Sequence, residues 1–151
     1  MNINSTIKTR ENFIHLINGM TLAELNEIPT GFNNNIVWNF GHVIVTQQLL
    51  CYKLSGQDML VSGELVEKYR KGTKPEAPAT SKEIEELKIL ALSTLESFKN
   101  DFMAGHFKEF NEYTTSFGAT LRNISEAVEF NSIHEGMHLG YAMAQRKAVR
   151  A

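Results

Sequence analysis

Among 151 residues the chain has one cysteine, Cys51. A single thiol excludes an internal disulfide and makes a reducing compartment the default expectation. Cys51 stands in the apolar run Leu49-Leu50-Cys51-Tyr52, with no visible environment to activate a thiolate, so it reads as a packed side chain. No run of 18 apolar residues is present, which argues against a membrane-spanning helix. The N-terminus, Met1-Asn2-Ile3-Asn4-Ser5, lacks the basic and then apolar segments of a secretory signal. A cytoplasmic protein is the resulting expectation. An excess of one charge is missing too: 15 basic and 17 acidic residues leave a formal −2, so nothing suggests nucleic acid or an anionic membrane as partner. The basic residues Arg146, Lys147 and Arg150 cluster where a final helix would end, and cations there complement the helix dipole.

What is present reads as helix. Length and ordinary composition (42% hydrophobic, 21% charged) fit one domain, 1–151, able to bury a core. A first long helix is expected over about 5–19, with Ile7, Phe13, Ile14 and Ile17, and Met20 just beyond, on its apolar side. Thr21 then caps a short helix stopped by Pro29. Asn33-Asn34-Asn35 signals the start of a second long helix over 36–54, which Gly56 ends. A short amphipathic piece covers 62–71, and 72–80, with two of the three prolines, reads as an ordered linker. Thr80 and Glu83 form a capping box before a third long helix, whose stripe runs from Ile84 to Phe102. Residues 113–117 have strand propensity but read as an extended connection. Asn123 with Glu126, or Ser125, starts the last helix, to about Arg146. The expected fold is all-α, a four-helix bundle with short additional helices.

Chemistry enters with the histidines. His134 and His138, in His134-Glu135-Gly136-Met137-His138, stand four apart, which stacks both imidazoles on one helix face. The segment reads H-E-x-x-H, a zinc-protease signature, yet no His, Cys, Asp or Glu follows to complete such a site. A third ligand must come from upstream. His42, on a stripe with Trp38, Val45 and Leu49, faces the interior of the second long helix and is the best candidate. Two helices of a bundle can thus bring three imidazoles to one divalent transition metal, leaving positions open for water or substrate. Packed histidines are the bland alternative, although burying two together without a metal costs desolvation. His15 and His106 have no spacing partner and read as exposed or simply packed. Glu135 projects about 60° from His138 around an ideal helix. That position suits a general base beside a coordinated water, or a carboxylate turned to solvent or a neighbouring helix. Trp38 and Tyr141, each about one turn from a candidate ligand, are expected to shape the pocket.

Trp38-Asn39-Phe40-Gly41-His42, followed far along the chain by His134-Glu135-Gly136-Met137-His138-Leu139-Gly140, resembles the DinB-like (YfiT-like) superfamily of metal-binding four-helix bundles. Trp38 and Gly41-His42 match the family's pattern on the second helix; His134, His138 and Gly140 match it on the last. The resemblance implies one divalent metal, zinc or nickel, on His42, His134 and His138. It also implies a possible homodimer and a small-molecule substrate. Some members are thiol S-transferases using bacillithiol, mycothiol or glutathione; others are assigned as hydrolases, and many have no known reaction. The expectation is a metal-dependent thiol S-transferase or hydrolase acting on a small electrophile. The alternative is a non-catalytic module that binds metal or a small molecule. A zincin lacks its downstream ligand here, and a ferritin-like di-iron site lacks its second Glu-x-x-His, because Asn39 precedes His42 at that spacing.

Overall fold

A computed structural model describes residues 3–151. Met1 and Asn2, part of the N-terminal reading above, lie outside the described residues. Four long helices form the bundle: α1 (Asn4–Asn18), α3 (Ile36–Gln47), α5 (Ser81–Met103) and α6 (Ile124–Val149). Helix α3 packs against α5 and α6, and α1 packs against the same two, so the four close into a ring around the core. Short helices α2 (Leu22–Asn26) and α4 (Gly63–Tyr69) lie in the connections. The all-α bundle is as expected, with one small addition. Tyr113–Thr114 (β1) pairs antiparallel with Thr120–Leu121 (β2), so the run with strand propensity does not stay an unpaired connection. Gly118, at φ +90°, makes the turn between them, a conformation open mainly to glycine.

Polar side chains at the helix starts set the register. Asn35 accepts a hydrogen bond from the Trp38 amide at 2.9 Å and caps α3. Thr21 and Glu24 form a reciprocal capping box on α2. Thr80 caps α5 through the Glu83 amide, but the Glu83 carboxylate turns to Lys68 and to the Tyr69 hydroxyl, so the expected box is only half formed. Asn123 caps α6.

Two helices depart from their expected faces. In α1 the buried residues are Thr6, Arg10, Phe13, Leu16 and Ile17, so the inward stripe includes a charged side chain the hydrophobic pattern passed over. In α3 every residue from Ile36 to Val45 is buried. Helices α2 and α4 pack on this helix besides its two neighbours in the ring, which leaves it no exposed face. After Gln47 it widens into a π-helical turn, Gln48–Tyr52, then tightens into a 3₁₀ turn, Lys53–Ser55, and Gly56 ends it at φ +68°. A single extra residue per turn there rotates the last side chains relative to an unbroken helix.

Candidate metal centre

The three imidazoles named from spacing meet in space. One ring nitrogen from each of His42, His134 and His138 lies within 4.8 Å of one from both of the others. His42 arrives from α3 and the other two from α6, across the interface where those helices pack. The Nε2 atoms of His42 and His134 are 3.3 Å apart. Two nitrogens at roughly 2.0–2.1 Å from one tetrahedral ion would stand about 3.4 Å apart. His15 and His106 are exposed and outside the group.

Hydrogen bonds fix which nitrogen of each ring is free. His42 Nδ1 is 2.8 Å from the Tyr69 carbonyl, which only accepts, so Nδ1 carries the proton and Nε2 the lone pair. Asn39 donates through its amide nitrogen to Asn34, to the Asn35 carbonyl and to Gln145, which leaves its oxygen to accept from His138 Nδ1 at 2.7 Å. His138 therefore also presents Nε2 as an acceptor. His134 differs: its Nδ1 is buried and has no partner. If that nitrogen is protonated, His134 Nε2 points a lone pair at the lone pair of His42, an arrangement that a shared cation relieves. The donor set thus fits a divalent transition metal, because neutral imidazoles with the second nitrogen anchored are its usual protein ligands. Burial, first of all, lowers the pKa of all three rings, to about 3 for His134 and about 4 for His138, and each ring's neighbours add to it for these two. Near neutral pH they are in the uncharged form that binds metal.

Gly41 is explained by the same contact. A Cβ there would come within 2.5–2.7 Å of the Tyr69 ring. Only a glycine lets α4 approach α3 closely enough for the Tyr69 carbonyl to reach His42. Gly140 has open space where a Cβ would be, and nothing in the structure requires a glycine there.

Glu135 needs a correction as a candidate base. Its carboxylate is fully buried on the side of α6 facing α1, where Arg10 takes both oxygens, at 2.7 and 3.0 Å. Asn131 donates a third bond at 2.8 Å. Arg10 spends its remaining reach on the Ala91 carbonyl and the Thr94 hydroxyl of α5. An unpaired carboxylate in that core would be costly, so the pairing with Arg10 holds it away from the imidazoles. The reading of a carboxylate turned to a neighbouring helix describes it. Arg10 itself had one signal in the sequence, a cation four residues after Thr6 and three before Phe13, but its partner is 125 positions away.

The aromatic expectations divide. Trp38 is buried, stacks on His42 at 4.6 Å between centroids, and donates from Nε1 to the Thr73 hydroxyl at 3.0 Å. Tyr141 is 43% exposed and packs edge-on against Phe32, so it borders the site rather than closing it. Both line a cavity of about 450 Å³ that reaches His138, and a second of about 310 Å³ opens on the other side of His42 and His134. Neither cavity has an aspartate or glutamate in its wall. Cys51 is buried, and burial pushes its thiol up to about 12, which leaves it a packing residue.

With this geometry in place, comparison with known proteins is informative. The sequence matches the family description of the DinB superfamily over residues 6–142, a span that takes in all three imidazoles. The chain belongs to the DinB superfamily. Among solved structures it is similar to a conserved protein from Enterococcus faecalis, with a TM-score of 0.69 over 97% of this chain and 93% of that one. At 16% identity that likeness shows the fold alone. No curated protein matches the sequence. Among the described residues no helix is long and apolar enough to cross a membrane.

Proposed function

We propose that this DinB-superfamily protein is a metal-dependent transferase that joins a low-molecular-weight thiol to a small electrophile, with zinc or nickel on His42, His134 and His138. The observation that carries the reading is a triad of neutral imidazoles, two of them anchored, that borders two cavities. A divalent ion on that triad would act as a Lewis acid, favouring the ionised form of a small nucleophile near neutral pH. The protein's residues do the rest. Tyr69 and Asn39 hold two rings in fixed tautomers, Trp38 packs flat against one of them, and Phe130 shields His134 from one side.

Transfer of sulfur is favoured over hydrolysis by what the cavity walls lack. Water is the weaker acid and gains more from a base beside it, and Glu135, the carboxylate next to His134 in sequence, is committed to Arg10. A thiol ionises far more readily, with an ordinary pKa of about 8.5, and depends less on such a base. In the overall step the thiol's S–H bond breaks, a carbon–sulfur bond forms, and the leaving group departs with its electron pair while the proton goes to solvent. The protein's own thiol, Cys51, is buried and protonated, so the sulfur must come from outside.

The test is turnover of a chromogenic aryl halide with several small thiols, measured before and after chelation. Activity should vanish on metal removal, return when zinc or nickel is restored, and be absent in His42→Ala and His138→Ala. Turnover by fully metal-free protein would sink the mechanism. Stoichiometric metal with no turnover of thiol or ester substrates would instead identify a binding module.

A further inference from the structure

We propose that the cavity of about 310 Å³ beside His42 and His134 binds a small, largely apolar molecule carrying one carboxylate, and that Lys53 and Lys71 receive that carboxylate. The assignment rests on the reading of the imidazole triad as the active site and narrows the class of molecule that reaches it.

The cavity has the size of a small-ligand site. Its wall is built by the distorted end of α3. The π-helical turn sets Leu49 and Leu50, and the following turn Lys53 and Leu54, along the same wall as Thr46 and His42. Turns of this kind recur where a helix has been reshaped around a ligand. Phe130 of α6 closes the apolar side. An apolar body fits such walls.

The charge is the second observation. Lys53 and Lys71 both line this cavity, and Lys71 lines its neighbour as well. Among the described residues neither ammonium has a carboxylate or hydrogen-bond partner, a state shared with Lys74, Lys99, Lys108 and Lys147, but Lys53 and Lys71 are the two that line this cavity. The chain has 17 acidic residues, yet none lines the cavity. Two unpartnered cations over an apolar wall recognise an amphipathic anion. The lining includes no arginine fork and no helix N-terminus, the usual furnishings of a phosphate site, so a carboxylate is the better match.

Octanoate and its neutral isostere octanamide test the assignment by calorimetry, on metal-loaded protein and on protein dialysed against chelator. Octanoate should bind both forms, more weakly as salt rises, and octanamide should bind about tenfold less tightly. Lys53→Met and Lys71→Met should each weaken octanoate about tenfold while leaving octanamide unchanged. Both side chains are exposed, so their replacement should leave the melting temperature in place. Equal affinity for acid and amide would overturn the proposal. So would octanoate binding that needs the metal and ignores both lysines, since the carboxylate would then sit on the ion. Lysine-dependent binding in a protein that takes up no metal would support the cavity assignment while overturning the metal-dependent reaction.

Discussion

Helix α6 carries two polar clusters on adjoining faces, one buried and one partly buried, and they are finished to different degrees. Toward α1, Glu135 is held by Arg10 and Asn131, with both charges matched and the carboxylate fully buried, although the Asn131 side-chain oxygen has no partner. Toward α3, His134 and His138 meet His42 with at least two lone pairs converging and one ring nitrogen unpartnered. The first cluster is a closed structural joint linking α1, α5 and α6. The second borders cavities and groups three imidazoles that could hold a cation. Each cluster keeps one unpartnered polar atom, and what sets the histidines apart is that they line open cavities. The two clusters share consecutive residues, His134 and Glu135, so the joint also fixes the rotation of the helix that presents the ligands.

The largest effect should come from breaking the closed joint. Arg10→Met strands a buried carboxylate and should lower unfolding free energy by about 3–5 kcal/mol, read from urea denaturation of metal-free protein. A loss under about 1 kcal/mol, the range of an exposed pair, would show that water reaches Glu135 and that the two clusters are not so different. Next in size is the anchor of His138. Asn39→Ala removes the acceptor of its Nδ1 proton and should weaken metal binding about 10–100-fold in competition with a chromogenic chelator. Circular dichroism would check that the helices persist. An unchanged affinity would mean the triad does not depend on its anchoring shell.

The smallest effect sharpens the comparison through pH. In the metal-free protein His134 and His138 have pKa values of about 3 and about 4, below the ordinary 6.5 they regain on unfolding. Below pH 6.5 the unfolded chain therefore binds more protons, and stability falls as pH drops, until the folded rings titrate too. From pH 6.5 to 5.5 each ring should cost about 1 kcal/mol, so metal-free protein should melt progressively lower over that interval. Replacing both histidines by glutamine should flatten this slope, whereas a slope that persists would place its origin elsewhere.

The legibility of these features follows from the range of the interactions behind them. The helices and most of their starts were readable because caps are local: Asn35, Thr21 and Asn123 act on amides within three residues. The two-stranded pairing of 113–114 with 120–121 was missed because a propensity does not name its partner strand. The triad was readable because a spacing of four fixes two ligands, and a histidine on an apolar stripe supplies the third. Glu135 was ambiguous for the opposite reason. Its angle on the helix allows solvent, metal or neighbour, and the choice depends on Arg10, whose burial an amphipathic pattern does not foresee.

By itself, then, the sequence determined a helical bundle, the identity of three converging imidazoles and the inertness of its lone cysteine. Each of these follows from periodicity, short-range capping or the chemistry of one side chain in its local run. Tertiary structure alone decided that Glu135 belongs to a structural ion pair, that Gly41 exists to admit the Tyr69 ring, and that Tyr141 stays at the surface. It also decided that Lys53 and Lys71 line an apolar cavity with no partner among the described residues. These are matters of which distant groups become neighbours, and that is settled by how the helices pack.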